Sequence, residues 1–213
     1  MTGRYSRGIP AGDSEGASGF SLAEFLVSTF IMLLVASAVF AMLAETQRAA
    51  SYQTEVQAVL DNARIATDTV ERILRQAGND PLAIGFPGLT IVSGTEVRVR
   101  SDLTGSAAGA GEPDKGDSDG DTADAGEDVT IRYNAANRSL EVTPNGGSAQ
   151  AVANYITAFN MQYIDANGGA TGLGANVRKV RVALSAATTL ADPQTKRTFG
   201  LQQASDVQIA TRQ

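Results

Sequence analysis

The sequence contains no cysteine and no histidine. Without cysteine the chain has no disulfide and no thiol nucleophile, and without histidine it lacks the usual general base near neutral pH. Ordinary zinc sites are excluded as well, because their ligands are almost all cysteine and histidine. The remaining residues show no nucleophile and base of a recognisable kind. We therefore expect a protein that is not an enzyme.

Basic residues are fewer than acidic ones, with 17 Lys and Arg against 23 Asp and Glu and a net charge of -6. No Lys/Arg stripe is visible, so we expect no nucleic-acid partner. The acidic residues concentrate in segment 112–128, and the negative charge therefore marks one loop more than the whole chain. A length of 213 residues allows one soluble domain plus an anchor, or a single extended domain.

A long apolar run occupies residues 25–44 and contains no charged side chain. Its length of about 20 residues is what a helix needs to cross the hydrocarbon core of a bilayer. A secretory signal has a shorter apolar region, and its small residues follow that region, whereas Gly16 to Gly19 precede this one. An ordinary single-pass anchor leaves Glu24, directly before the run, unexplained, because a carboxylate in a membrane is costly.

Residues 19–27 read GFSLAEFLV. This segment resembles the class III signal of type IV prepilins and type II secretion pseudopilins. The pattern of that signal is glycine, phenylalanine, serine or threonine, leucine, any residue and glutamate, followed by an apolar helix. This resemblance implies that a membrane prepilin peptidase cuts after Gly19 on the cytoplasmic side. Phe20 would then become the N-methylated first residue, and Glu24 would stand at the fifth position of the mature chain.

The resemblance also implies how the subunits assemble. The apolar helices bundle in a filament, where Glu24 can meet the freed amino group of a neighbour's Phe20. Opposite charges attract strongly once water is excluded, although desolvation cancels much of the gain. We expect this pair to set the axial register between subunits. The implied partners are other pilins or pseudopilins through the N-terminal helix, the prepilin peptidase and an inner-membrane assembly platform.

The helical pattern continues beyond the apolar run. An apolar stripe with spacings of three and four residues, flanked by Leu60 and Leu74, predicts one face of a helix. The stripe consists of Tyr52, Val56, Val59, Ala63, Ala66, Val70, Ile73 and Ala77. Polar residues are predicted on the other side, among them Gln53, Glu55, Asp61, Arg64, Asp68 and Arg72. Gly78 and Pro81 predict the end of the helix, so it spans residues 21–77. The stripe fits packing on the chain's own sheet, or a coiled coil with another subunit.

From residue 89 onward the apolar period changes to two, which predicts strands. We expect strands at 89–92 and 95–100 with a turn at Ser93-Gly94, at 129–134 and 139–143 with a turn near Asn137, within 151–165, at 176–185 and at 205–211. Phe159, Met161 and Tyr163 should share one face, and Val180, Val182 and Leu184 should point inward. A long N-terminal helix packed on an antiparallel β-sheet head is an α+β fold, as in pilins.

The order of these elements is similar to J-type minor pseudopilins and PilW-type minor pilins. The similarity rests on the turn at 165–168 (DANG), the strand VRKVRVAL at 177–184 and a C-terminal strand. The predicted organisation is a leader at 1–19, a transmembrane helix at 20–44, an amphipathic helix at 45–78 and a β head at 79–213 that carries an acidic loop at 104–128.

The acidic loop is a candidate calcium site, because calcium takes six to eight oxygen ligands from a flexible segment. Asp117, Asp119 and Asp121 match positions 1, 3 and 5 of an EF-hand-like loop, and Asp128 matches position 12; Asp124 is a further candidate ligand. Thr122 stands where an EF-hand has glycine, and a strand follows where a helix is expected. The alternative is a solvated acidic loop without a metal.

Two functions fit these observations. The first is a minor pilin or pseudopilin that initiates or caps a type IV pilus or a type II secretion pseudopilus after cleavage and methylation. The second is a membrane-anchored calcium-binding adhesin or sensor that never polymerises. For the first, the expected location is a single pass through the inner membrane of a Gram-negative-type bacterium with the head in the periplasm, and afterwards the filament.

Overall fold

The computed structural model describes residues 21–105 and 118–209. Within these two ranges one helix, α1 (Leu22–Gln76), precedes eight strands. Two compact units divide between Thr46 and Gln47, so the second half of α1 belongs to the same unit as the strands.

The predicted end of α1 is confirmed to within one residue. Gly78 takes a positive φ of 69°, the left-handed conformation that commonly ends helices, and its N–H donates to the carbonyl of Arg100 over 2.9 Å. Gly88 crosses directly over it, and a Cβ at Gly88 would lie 2.4 Å from the backbone of Gly78. Two glycines are therefore needed where the chain leaves the helix and turns back toward the first strand.

The apolar stripe of α1 packs on the chain's own strands. Its buried members join one core cluster with residues from both sheets; they are Val59, Ala63, Ala66, Val70, Ile73 and Ala77. Tyr52 and Val56 are half-buried. The prediction that Glu55 lies on the solvent side is wrong. Glu55 is only 8% exposed, because its carboxylate meets backbone and hydroxyl donors of a strand.

The first sheet is antiparallel and contains five strands in the order of the chain. They are β1 (Leu89–Ile91), β2 (Glu96–Arg100), β3 (Asp128–Asn134), β4 (Ser139–Pro144) and β5 (Gln150–Ala153). Val97 lies opposite Ile131, and Ile131 opposite Val142, so apolar side chains of neighbouring strands align on the core face. The turns predicted at Ser93-Gly94 and near Asn137 are confirmed.

The second sheet contains three antiparallel strands, β6 (Ile156–Ile164), β7 (Lys179–Ala191) and β8 (Thr198–Gln208). A 3-10 turn at Gly174–Asn176 precedes β7. The predicted inward faces are confirmed, since the named side chains are all buried: Phe159, Met161, Tyr163, Val180, Val182 and Leu184. Both β7 and β8 extend further toward their connecting turn than predicted, with a change of register between Ala187 and Ala191.

The described strands thus form an antiparallel head on which the second half of α1 packs, and the predicted α+β class is confirmed. One refinement is that the head consists of two sheets. Segment 151–165 divides at Tyr155, whose φ is 65°, so that β5 completes one sheet and β6 begins the other.

Candidate functional sites

The first candidate site is the start of α1, which is closed by a capping box. The N–H of Ser21 donates to Oε2 of Glu24 over 2.9 Å, and the N–H of Ala23 donates to Oγ of Ser21 over 3.3 Å. The first helical bond runs from the N–H of Phe25 to the carbonyl of Ser21. Side-chain acceptors thereby satisfy donors that the first turn leaves open. Gly19 and Phe20, the predicted cleavage and methylation positions, lie outside the described residues.

The first half of α1 exposes its apolar side chains on every face. Within the described residues, α1 alone is long and apolar enough to cross a membrane by length and composition. Leu22, Met32 and Met42 are each about three-quarters exposed, and the other large side chains of this stretch are at least half exposed. Since such a surface is unfavourable in water, the segment requires a lipid or protein environment.

The second candidate site is the acidic loop, where three of the five predicted calcium ligands come together. Carboxylate oxygens of Asp119, Asp121 and Asp124 lie within 4.8 Å of one another. The backbone turns tightly here, because the N–H of Asp121 donates to Asp119 Oδ1 and the N–H of Ala123 donates to Asp121 Oδ1. Three negative charges are therefore held close together on one turn of the chain.

The other two predicted ligands are not part of this cluster. Asp117 lies outside the described residues. Asp128 begins β3 and is buried, and both of its oxygens accept hydrogen bonds from the guanidinium of Arg98, with Nε to Oδ1 at 2.6 Å. The prediction that Asp128 is the ligand at position 12 of an EF-hand-like loop is therefore wrong, because Asp128 forms an ion pair with Arg98 between β2 and β3.

Glu127 closes the base of the loop, a role that the sequence did not reveal. Its Oε1 accepts hydrogen bonds from the N–H groups of Leu103 and Thr104 at 2.6 and 2.8 Å, and its Oε2 accepts one from the N–H of Asp124 at 3.3 Å. The carbonyl of Glu127 also accepts from the N–H of Ser101. Glu127 is thus a buried structural acid that joins the two ends of the loop.

Asp102 is a second acid that the sequence did not single out. Its residue is 0% exposed, and its Oδ2 accepts a hydrogen bond from the N–H of Gly120 over 3.1 Å. Its Oδ1 is buried and has no hydrogen-bond partner among the residues that the structure describes. Leaving a buried acceptor unsatisfied costs about 1–3 kcal/mol, and more for a charged group. Because Asp102 follows a strand and belongs to no motif, only the fold shows its burial.

Polar contacts also fix α1 on the strands. Glu55 Oε2 accepts from the N–H of Leu190, and Oε1 accepts from the N–H and hydroxyl of Thr189 in β7. Burial alone would raise the pKa of Glu55, but these hydrogen bonds outweigh it and hold the pKa below its usual value. Asn62 Oδ1 accepts from the N–H of Asn154 over 2.8 Å, between β5 and β6. The helix is therefore tied to β7 and to the connection between β5 and β6 by specific bonds as well as by apolar packing.

A cavity of about 360 Å³ lies beside the end of α1. Its two charged side chains hold their own loops together, because Asp80 accepts from the N–H groups of Ile84 and Gly85, and Arg178 donates to the carbonyls of Ala175 and Val177. Asp80 and Arg178 thus stabilise their own turns, and the cavity is the gap between these two turns.

Comparison of the sequence with protein-family models gives no match, and comparison with curated proteins gives none either. A functional assignment must therefore come from the residues and the geometry.

Proposed function

We propose that this chain is a minor pilin or pseudopilin, a structural subunit that initiates or caps a type IV pilus or a type II secretion pseudopilus. The observation that carries the proposal is the position of the helix start. The signal-like sequence ends in Ser21 and Glu24, which cap α1, and α1 then continues without a break to Gln76. A chain cut after Gly19 would begin one residue before this cap.

The exposed apolar half of α1 supports the same proposal. Before assembly this half crosses the inner membrane, and in the filament the corresponding halves of neighbouring subunits cover it. Other pilins, the prepilin peptidase and the inner-membrane assembly platform are the proposed partners, and the periplasm is the proposed location of the head. The proposed likeness to PilW-type minor pilins and J-type minor pseudopilins rests on the sequence alone, namely the turn at 165–168, the segment at 177–184 and the C-terminal strand.

Intact mass of the membrane-extracted chain tests the processing step. After co-expression with a prepilin peptidase, we expect the intact mass to decrease by the mass of residues 1–19. Methylation of Phe20 should then add the mass of one methyl group. Replacing Gly19 by leucine, which puts a bulky side chain at the cut, should leave the full-length mass. A chain that keeps residues 1–19 in the presence of an active peptidase, with a known prepilin cleaved in the same cells, would refute the proposal.

Disulfide cross-linking separates assembly from a non-polymerising anchored adhesin or sensor. Because the chain contains no cysteine, a single Leu33→Cys substitution in the exposed apolar half introduces a unique thiol. With partner subunits that carry a matching cysteine, an assembling chain should form cross-linked pairs that depend on cleavage. Asp61→Cys, on the exposed side of the second half of α1, is the control variant for Leu33→Cys.

A further inference from the structure

Two Asn-Gly pairs lie in turns of the head, and the residue after each pair is also glycine. They are Asn145-Gly146, between β4 and β5, and Asn167-Gly168, between β6 and β7. Both asparagines are exposed. Because glycine has no Cβ, the backbone nitrogen that follows each asparagine is sterically open to the asparagine side chain. The two pairs therefore share their local sequence, and their conformations distinguish them.

An Asn-Gly pair can rearrange without an enzyme. The glycine nitrogen gives its proton to solvent and attacks Cγ of the asparagine side chain, which forms a new C–N bond and closes a five-membered succinimide. The bond from Cγ to Nδ2 breaks, and Nδ2 takes a proton from solvent and leaves as ammonia. Water then adds to one of the two succinimide carbonyls, which gives isoaspartate or aspartate. The reaction needs only water, but the glycine N–H has to be available to solvent.

In the first turn, the N–H of Gly146 has no hydrogen-bond partner among the described residues. The N–H of Gly147 donates to the carbonyl of Pro144 over 2.9 Å, so Asn145 is the second and Gly146 the third residue of this turn. Gly146 takes a φ of 64°, as the third residue of a type II turn does. Since the fourth residue supplies the N–H that closes the turn, the nitrogen next to Asn145 is left available for attack.

In the second turn, the corresponding N–H is already bonded. The N–H of Gly168 donates to the carbonyl of Asp165 over 3.2 Å, so Gly168 is the fourth residue and closes the turn itself. The carboxylate of Asp165 holds the same turn, because its Oδ1 accepts from the N–H groups of Asn167 and Gly169 at 2.8 and 2.9 Å. The nitrogen of Gly168 has to give up its hydrogen bond before it can attack, which opposes the reaction at Asn167.

We propose that Asn145 is a site of spontaneous deamidation in the folded chain, and that the turn at Asn167 protects that residue. The side chain of Asn145 is little restrained, since Nδ2 makes one long hydrogen bond, to the carbonyl of Ala123 over 3.3 Å. Deamidation removes this donor, which links the turn to the acidic loop, and replaces a neutral amide by a carboxylate. The proposal does not depend on the role in a filament.

Peptide mapping by mass spectrometry tests the proposal on the full-length chain in detergent, incubated in mildly alkaline buffer below its thermal midpoint. Deamidation adds one mass unit to the affected peptide, and we expect Asn145 to react at least tenfold faster than Asn167. In denaturant the two rates should become similar, because both asparagines precede Gly-Gly. Equal rates in the folded chain, or a faster reaction at Asn167, would overturn the proposal.

Asp165→Ala tests the cause of the protection. It removes the acceptor of the Asn167 and Gly169 N–H groups, so the rate at Asn167 should rise at least threefold while the rate at Asn145 stays the same. Asp61→Ala, which removes an exposed acid of α1, is the matched control and should change neither rate. An unchanged rate at Asn167 in Asp165→Ala would refute protection by the turn.

Asn145→Gln assigns the mass gain to its site. The longer side chain would have to close a six-membered ring, which is much slower, so the peptide that contains residue 145 should keep its mass. A mass gain in this peptide as fast as in the unmodified chain would overturn the assignment to Asn145. None of these results bears on cleavage after Gly19.

Discussion

At the scale of single residues, Glu24 has a local partner and a proposed intermolecular one. Its carboxylate accepts from the N–H of Ser21 in the described chain, whereas register in a filament would need its charge. Glutamine can replace glutamate in a capping box but carries no charge. We predict that Glu24→Gln keeps the helix content measured by circular dichroism yet reduces incorporation into filaments as strongly as Glu24→Ala. Ser21→Ala should weaken the cap by about 1 kcal/mol and still assemble.

Normal incorporation of Glu24→Gln alongside failure of Glu24→Ala would show that capping, and not charge, is what assembly requires. Ser21→Ala is the informative control, because it weakens the cap and leaves the carboxylate in place.

Glu55 is the residue whose loss should be most costly for the contact between α1 and β7. Glu55→Ala would leave the N–H groups of Thr189 and Leu190 without their acceptor, which should lower the free energy of unfolding by about 2–3 kcal/mol. Glu55→Gln retains one acceptor oxygen and should cost less. Chemical unfolding of the full-length chain in detergent measures both; an Ala variant as stable as the unmodified chain would contradict the role.

At the scale of elements, the crossing of Gly78 and Gly88 sets how closely the end of α1 approaches the entry to β1. Gly88→Ala would place a methyl group 2.4 Å from the backbone of Gly78, where no flexible side chain can yield. We predict a loss of about 1–3 kcal/mol from this overpacking. Gly172→Ala is the control, because a Cβ at that position would meet nothing within 4 Å, and the thermal midpoint of this variant should hardly change.

The elements also show what could be predicted from the sequence. Val97, Val99, Val180, Val182 and Leu184 alternate strictly, and the core covers each of them, because period-two patterning directly reflects one buried face. The apolar stripe of α1 was predictable in the same way, because its spacings of three and four residues also mark one buried face.

Other features depend on contacts between distant segments, which no local pattern encodes. Glu55 is buried because β7 brings donors to it, and Asp102 is buried because Gly120 folds over it. The division into two sheets depends on Tyr155, which takes a positive φ without being glycine, and the sequence carries no signal of that conformation.

At the scale of the whole molecule, the head should lose stability in acid. Hydrogen bonds from Arg181 and then Lys179 lower the pKa of Asp206 from 3.8 to about 2, and hydrogen bonds from Arg132 and Asn134 lower the pKa of Glu141. A carboxyl whose pKa is lower in the folded state stabilises it above the unfolded pKa and ceases to do so as the pH falls through the folded pKa. These groups therefore stabilise the head above about pH 4, and the effect is lost toward about pH 2.

Thermal unfolding of the full-length chain in detergent and chelator, from about pH 6 down to about pH 2, measures this dependence. We expect the thermal midpoint of the unmodified chain to fall mainly below about pH 4. The midpoint of Asp206→Asn should be lower than that of the unmodified chain at about pH 6, and it should fall less steeply as the pH decreases. A midpoint that stays constant or rises as the pH falls from about 4 to about 2 would contradict the prediction.

The closure of the acidic loop by Glu127 has a consequence for how this protein can evolve. Arg100 pairs with Asp128, and Ser101 donates to the carbonyl of Glu127, so the chain leaves and re-enters the sheet at one point. Doubling the length of a loop that is closed in this way adds only about 0.6 kcal/mol of entropic cost. Insertions and deletions between Thr104 and Ser118 should therefore accumulate among descendants of this chain faster than changes in β2 and β3, and the loop can acquire new binding properties while the head keeps its fold.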